Sequence, residues 1–332
     1  MNAIVVEFER SAYLVPFDLD SDFALRQSAS RQAELYRADV CDPDKSFKMA
    51  DKTTEELSKI LEHMRNWVNT QPHLPKDIED WLLLRFAHSC YYDLEKAKVA
   101  ADLFFTLRAE SSYLLKDRDP QSTQMQKILS IVNIGQLKLP GKKNIWIYQI
   151  NDPGLDIYEY ILDVKLFFTS TDAWLLENDD LEESDTVIMD VKDISLKFLT
   201  KFNVSIARKL SKYQEEAIPI RLKQVHIVNA PPFIDKIYGL MKPFLKKELT
   251  EMIYFHPPNS ETLYKHVSRD ELPADYGGTF PKMEDLNKSV VQLMMKHRER
   301  LNENLWVATD KKSKNKDKVQ IETASFRSLA ID

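Results

Sequence analysis

The sequence contains very little glycine, with six residues in a chain of 332. No glycine-rich loop follows any of the strands predicted below, which argues against a dinucleotide or P-loop phosphate site. The motifs Gly-x-Ser-x-Gly and His-Glu-x-x-His are also missing, so the sequence offers neither a nucleophile elbow nor that type of zinc site. We therefore expect a protein that is not an enzyme and that uses no cofactor or metal.

Cysteine, positive charge and long apolar runs are scarce as well. Cys41 and Cys90 are the only cysteines, and their spacing fits no metal or disulfide framework, which is typical of a reducing compartment. No apolar run approaches the roughly 18 residues that span a bilayer, and the start, with Glu7 and Glu9, does not resemble a signal peptide. A net charge of −6 argues against a nucleic-acid binder. We expect a monomeric cytoplasmic protein that contacts membranes locally and transiently.

The apolar pattern divides the chain into four parts. Residues 1–50 have no sustained period and are predicted to be an N-terminal extension. Residues 51–119 have apolar residues at spacings of three and four, which predicts a small domain of short helices. Residues 120–282 alternate short apolar runs with longer amphipathic stretches, and residues 283–332 hold one more helix and a lysine-rich tail.

The third part has the pattern of an α/β domain. Strand-like runs alternate with helical stretches in a regular order along the chain. The predicted strands are 143–150, 185–191, 218–229 and 252–256, and the predicted helices are 156–178, 193–214, 231–249 and 260–267. Strands that are separated by helices favour a mostly parallel sheet with right-handed crossovers.

The helix predicted from Pro231 is more apolar than a helix that covers one face of a sheet. One stripe contains Phe233, Ile237, Leu240, Met241 and Phe244, and a second, adjacent stripe contains Ile234, Tyr238 and Leu245. The spacing of the apolar residues alone allows two structures. The helix could be deeply buried, or it could be a lid with one stripe facing an internal cavity and the other facing a lipid surface. Gly239 and Pro243 would let such a lid bend, and the lysines near its end suit an anionic membrane.

Several collinear motifs around this helix resemble the CRAL-TRIO lipid-binding family, in the branch of the tocopherol and retinaldehyde carriers. They are Ile-Pro-x-Arg (218–221), His-x-x-Asn-x-Pro (226–231), Lys-Pro-Phe-Leu (242–245) and Leu-Pro-x-x-Tyr-Gly-Gly (272–278). The strand 186–190 also matches, although Lys192 stands where relatives have glycine, and residues 78–97 resemble the family's helical N-terminal domain. The resemblance covers roughly residues 53–300.

The resemblance implies a CRAL-TRIO fold, in which a mostly parallel sheet and its helices enclose one hydrophobic molecule behind a mobile helix. Residues 231–245 correspond to that gate. By position, the candidate lining residues are Tyr148, Phe167, Phe168, Met189, Leu210, Tyr213, Gln214, Ile218, Ile220, Leu222, Val225, Phe233, Ile237 and Met241. For each of them, packing in an ordinary core is an equal alternative. Tyr148, Tyr213 or Gln214 could orient a hydroxyl or carbonyl group of the ligand.

Some relatives bind phosphoinositides through basic residues beside the gate. The resemblance matches Arg221 and Lys223 to the family's basic pair. Lys242 is a further candidate, and Lys246 and Lys247 could substitute for basic residues that are missing. Strand alternation predicts that Arg221 and Lys223 lie on the face opposite Ile220 and Leu222. Other basic positions of the family are replaced in this chain by His88, Cys90, Glu248 and Met252.

We therefore expect an intracellular carrier of a retinoid, carotenoid, tocopherol or similar isoprenoid that exchanges its ligand with membranes. Burial of about 500 Å² of apolar ligand surface would contribute a gross ~12 kcal/mol, which suffices for useful affinity without a charged anchor. The alternatives are a phosphoinositide or phospholipid transfer protein and a membrane-recruited regulatory scaffold. The apolar pattern does not name the ligand, because apolar pockets select by shape.

Overall fold

The structure is a computed structural model that describes residues 52–177, 181–303 and 305–309. The chain divides into two compact units, Met1–Glu55 and Glu56–Asp332, and apart from residues 52–55 the described residues belong to the second. The predicted extension 1–50 and the lysine-rich tail at 310–320 lie outside the described residues.

The first part of the described chain is helical, as predicted. Its helices are α1 (Thr54–Thr70), α2 (Asp80–Ser89), α3 (Leu94–Glu110), α4 (Ser112–Leu115) and α5 (Thr123–Leu129). Helix α3 begins after Asp93, whose side chain accepts a hydrogen bond from the Lys96 amide at 3.2 Å and so satisfies one free amide of the first turn. Apolar residues of α1, α2 and α3 then pack into one continuous core with the sheet domain.

A five-stranded sheet follows. Its strands are β1 (Val132–Leu139), β2 (Lys143–Ile150), β3 (Ser184–Asp190), β4 (Leu222–Val228) and β5 (Ile253–Phe255). They lie in the order β1-β2-β3-β4-β5, with β1 antiparallel to β2 and every later pair parallel. The mostly parallel sheet is therefore confirmed, and β1 is an additional strand that the sequence pattern did not predict.

The remaining helices surround this sheet. They are α6 (Tyr160–Glu177), α7 (Phe198–Lys201), α8 (Val204–Glu216), α9 (Ile234–Met241), α10 (Lys247–Thr250), α11 (Met283–Lys296) and α12 (Arg298–Asn302). Helix α11 covers β1 closely: a Cβ atom at Gly135 would lie 3.1 Å from the Leu286 side chain, so glycine permits this approach. The C-terminal helix predicted from residue 283 is thus part of the sheet domain.

Three of the predicted helices are shorter or broken. The helix predicted at 193–214 divides into α7 and α8, because Asn203 caps α8 by accepting a hydrogen bond from the Ile206 amide at 3.0 Å. The helix predicted at 231–249 ends at Met241 and continues as a 3-10 turn through Pro243, which has no amide hydrogen. The helix predicted at 260–267 is only a 3-10 turn, Thr262–Lys265.

A buried ion cluster joins the N-terminal helices to the middle of α6. Both oxygens of Asp172 accept hydrogen bonds from Arg108 of α3, at 2.9 and 2.7 Å, and one also accepts from Arg118 at 2.7 Å. The two guanidinium groups also donate to the carbonyls of Leu305 and Leu301, at 3.2 and 3.3 Å. Burial alone would raise the pKa of Asp172, but the two guanidinium groups hold it below its usual range.

A second polar cluster lies on the face of the sheet away from α6. His226 of β4 is fully buried, and its Nδ1 lies 3.0 Å from Nε2 of His256. The other ring nitrogen of His226 lies 3.1 Å from the Gln224 side chain, and Nδ1 of His256 lies 2.8 Å from the Thr262 hydroxyl. Both histidines therefore have hydrogen-bond partners in the fold.

We predict that Asp172→Asn lowers the free energy of unfolding by about 3–5 kcal/mol, because it leaves two buried guanidinium groups without a counter-charge. Glu177→Gln, at the exposed end of the same helix, removes a surface carboxylate that pairs with Lys296 and should cost less than about 1 kcal/mol. Urea unfolding followed by circular dichroism measures both. Equal costs for the two variants would contradict a special role for the buried cluster.

We also predict that acid destabilises the fold through its buried histidines. Burial and the neighbouring histidines lower the pKa of His226 from 6.5 to about 4, so the folded state favours the neutral ring. This contribution is fully present above pH 6.5 and is lost as the pH falls toward 4. The free energy of unfolding should fall less over this interval in His226→Gln than in the parent chain. Some dependence should persist, since burial also lowers the pKa of His88 to about 4.

Candidate lipid-binding site

The two faces of the central strands differ in burial. On the face away from α6, Ile147 and Ile188 are completely buried beneath the segment that leads to α11. On the opposite face, α6 covers β2, with the rings of Trp146 and Trp174 at 5.3 Å between centroids. Although Ile150 at the end of β2 is buried, six apolar side chains of this helix-covered face are nevertheless only half-buried: Trp146, Tyr148, Val187, Met189, Val225 and Ile227.

Side chains in the middle of a sheet that helices cover are normally buried, because protein interiors are close-packed. Val187, Met189 and Val225 keep accessible surface, and among the described residues they belong to neither buried core cluster. Accessible surface at this position shows that the helices do not pack closely onto these side chains, and it indicates a cleft or cavity between the sheet and its helices. Its lining is mostly apolar, which suits a hydrophobic ligand.

Most of the predicted lining residues retain accessible surface. On the sheet these are Tyr148, Met189, Leu222 and Val225, on α6 Phe167, on α8 Leu210 and Gln214, before β4 Ile218 and Ile220, and at the gate Phe233 and Met241. These residues come from the sheet, α6, α8, the segment before β4 and the gate. The geometry is therefore compatible with the predicted lining, which remains a prediction for each residue.

Three of the predicted lining residues, Phe168, Tyr213 and Ile237, are buried, and Phe168 and Tyr213 pack against each other. Their rings pack at 4.8 Å between centroids, and Tyr213 is only 1% exposed. The Tyr213 hydroxyl accepts a hydrogen bond from Arg108 at 3.2 Å, so this pair extends the ion cluster around Asp172. Ordinary packing accounts for both residues, and neither borders accessible space.

The gate helix α9 presents apolar residues in two directions. Ile237, at 4% exposed, belongs to the main core, whereas Leu240 is 40% exposed. Tyr238 packs against Phe255 at the edge of the sheet, with ring centroids 5.2 Å apart, and Phe255 is itself 37% exposed. The alternative of a deeply buried helix is therefore wrong, because Ile237 is the one buried residue of α9.

Arg221 is buried, although it was a candidate for contact with a headgroup. Strand β4 begins only at Leu222, and the Arg221 side chain turns inward, where it pairs with Glu183. Its Nε donates to the His88 carbonyl at 2.9 Å, and its guanidinium lies 4.3 Å from the centre of the Tyr91 ring. The Glu183 carboxylate therefore already pairs with the arginine that was a candidate for binding a phosphate.

The predicted lysines remain exposed. Lys223 donates to the Tyr91 hydroxyl, while Lys246 and Lys247 lie 3.2 and 3.6 Å from the carboxylates of Glu216 and Glu251. Lys242, beside the gate, makes no ion pair with another described residue. At the substituted family positions, His88 contacts Glu183, Cys90 and Met252 are half-buried and Glu248 is exposed, so none of them adds a cation for a headgroup.

Sequence reasoning missed part of the site. The two-residue period of a strand could have predicted three further lining residues. Each lies two positions from a predicted lining residue on the same strand and so shares its face: Trp146, Val187 and Ile227. Asp163 of α6 is less obvious: it lies one turn before Phe167 and accepts hydrogen bonds from Tyr148 and Tyr158. An isolated acid in the first turn of a helix usually indicates only a favourable interaction with the helix dipole.

Across residues 52–177, 181–303 and 305–309, no helix is both long and apolar enough to cross a membrane. The same part of the chain contains no cluster of three or more histidine, cysteine, aspartate or glutamate residues arranged to hold a metal ion.

Comparison with known proteins identifies two regions. Residues 53–125 match a Pinta-like UBA domain, and residues 162–278 match the CRAL/TRIO domain. The first region contains α1 to α4, and the second runs from α6 through the gate to the Tyr-Gly-Gly motif. The internal space described above lies within the second region and the strand that precedes it.

Individual relatives agree with this assignment. An alpha-tocopherol transfer protein-like protein of Mus musculus is 23% identical over 259 residues, covering 74% of each chain. Clavesin-1 of Rattus norvegicus is 32% identical over 237 residues, covering 70% of this chain and 66% of its own. A crystal structure of Sfh5 aligns with 74% of this chain at 12% identity and a TM-score of 0.43, too weak a similarity to inform the fold. The matched domain, the relatives and the sheet together show that this chain belongs to the CRAL-TRIO family.

Proposed function

We propose that this chain carries one hydrophobic small molecule, of the retinoid, carotenoid, tocopherol or similar isoprenoid kind, and exchanges it with membranes. The observation that carries the proposal is the difference between the two faces of the central strands. The face away from α6 is sealed by the segment that leads to α11, while the face toward α6 keeps accessible apolar surface. The relatives named for alpha-tocopherol transfer support a ligand of this type.

The gate helix gives the cavity a route to a membrane. Ile237 closes the core from inside, and Leu240 and Phe255 offer an apolar surface outside. Lys236 and Lys242 flank that surface, are exposed and pair with no described carboxylate, which suits contact with anionic lipid. Outward movement of residues 231–245 would expose the cavity to the bilayer, and reclosure would retain the ligand.

A phosphoinositide headgroup has less support. Arg221 is already paired with Glu183, so a phosphate would have to displace a carboxylate from a nearly buried guanidinium. The lysines beside the gate can attract any anionic surface without selecting one headgroup. We therefore propose general binding to anionic membranes and not a specific phosphoinositide site.

We predict that Ile237→Asp lowers retention of bound retinol or alpha-tocopherol by about tenfold or more, because the lid would then bury a carboxylate against the ligand. Leu240→Asp is the matched control: it makes the same chemical change three residues later on an exposed side chain, and retention should remain unchanged. Ligand loss during size-exclusion chromatography measures both, with thermal unfolding as a check on folding. Equal retention by the two variants would contradict a gate that faces the cavity.

We further predict that Leu240→Asp weakens binding to neutral and anionic vesicles alike, since it removes apolar contact. Reversal of both Lys236 and Lys242 to Glu should weaken binding to phosphatidylserine vesicles by about tenfold or more and leave binding to neutral vesicles unchanged. Vesicle co-sedimentation at low and high salt separates the two effects. If both changes leave vesicle binding intact, another surface docks to the membrane.

A further inference from the structure

A carboxyl group interrupts the otherwise apolar lining of the cavity. Asp163 lies on α6, four residues before Phe167, and so shares its face of the helix. The Tyr148 hydroxyl, from β2, donates to one oxygen of Asp163, and the Tyr158 hydroxyl donates to the other at 2.5 Å. Sheet and helix are therefore joined across the cavity by a polar contact.

Both Asp163 and Tyr148 border the internal space. Each lies deep enough in the protein that burial raises its pKa, yet each residue is only half-buried. Accessible surface on a group that burial affects this strongly indicates a cleft or cavity beside it. Asp172 and Tyr213 provide the contrast, since they are equally deep and are sealed at 0% and 1% exposure.

The hydrogen-bonding capacity that remains at this cluster is almost entirely that of an acceptor. Each carboxylate oxygen has a lone pair left after accepting one phenol hydrogen, and both phenol hydrogens are already used. The nearby Tyr160 hydroxyl has no hydrogen-bond partner but is fully buried, so it presents no donor to the cavity. Within the described ranges no cation pairs with Asp163; burial raises its pKa, and only the hydrogen bonds from Tyr148 and Tyr158 oppose that shift and favour the carboxylate.

We infer that Asp163, held by Tyr148 and Tyr158, binds the hydroxyl end of an otherwise apolar ligand. A ligand hydroxyl can donate a hydrogen bond to the free lone pair of the carboxylate. An ester or aldehyde of the same skeleton can only accept hydrogen bonds, so its oxygen would lie against the carboxylate oxygen without a hydrogen between them. The site therefore selects isoprenoid alcohols and phenols over their esters and aldehydes. This inference rests on the proposed carrier function, because it specifies the terminal group of that same ligand.

The test compares ligands that differ only at this terminus. Retinol is paired with retinal and retinyl acetate, and alpha-tocopherol with tocopheryl acetate, in fluorescence titrations of the full chain. The alcohol or phenol should bind at least about tenfold more tightly than its partners, the discrimination expected of one hydrogen bond to a charged group. Equal binding within each set would overturn the anchor and leave the carrier function standing. Binding of no member of either set would overturn both.

Variants assign the preference to Asp163. Asp163→Asn keeps the shape but replaces an acceptor oxygen with an amide donor, so the ratio of alcohol to ester affinity should fall by about tenfold. Phe167→Leu is the control on the same helix face; it should weaken both ligands equally and leave the ratio unchanged. A preserved ratio in Asp163→Asn would overturn the assignment. The ratio in the parent chain tests the selection independently, even if the variant folds poorly.

Discussion

The buried carboxylate of Asp172 is the interaction on which the rest of the architecture depends. Two guanidinium groups hold it, and through them α6 is fixed to α3, to the residues after α4 and to the C-terminal carbonyls of Leu301 and Leu305. Arg108 and Arg118 come from two parts of the chain and converge on one charge, so removal of that charge leaves both arginines buried without compensation. This cluster seals one side of α6 and leaves the other side to face the internal space.

The same helix thus carries two acidic residues with opposite environments. Asp172 is surrounded by cations and has no accessible surface, whereas Asp163, nine residues earlier, is held by phenols and faces the cavity. A comparable contrast applies to the basic residues. Arg221 is neutralised inside by Glu183, while Lys236 and Lys242 are exposed beside an apolar gate. In this account the charged groups that stabilise the fold, Asp172 and Arg221, are distinct from those proposed to contact the ligand or the membrane.

Much of this fold could be predicted from the sequence. The features that could not be predicted depend on contacts between residues that are distant along the chain. The alternating strands, the helical N-terminal region and the excess of apolar surface on the gate are all local patterns. Strand β1 was missed because Gly135 and the polar residues beside it resemble a loop until α11 covers them. The burial of Arg221 depends on Glu183, 38 residues earlier, and the role of Asp163 depends on Tyr148, 15 residues earlier. The local sequence around one residue does not identify a partner this far along the chain.

The central claim is that the space between the sheet and α6 holds one hydrophobic molecule. Native mass spectrometry of the chain purified from a eukaryotic host, followed by organic extraction of what it releases, tests this most directly. The account predicts a mass shift that corresponds to one bound molecule per chain and an extract that contains an isoprenoid with a free hydroxyl. A chain that shows no bound mass, even after incubation with vesicles that contain such isoprenoids, would contradict it.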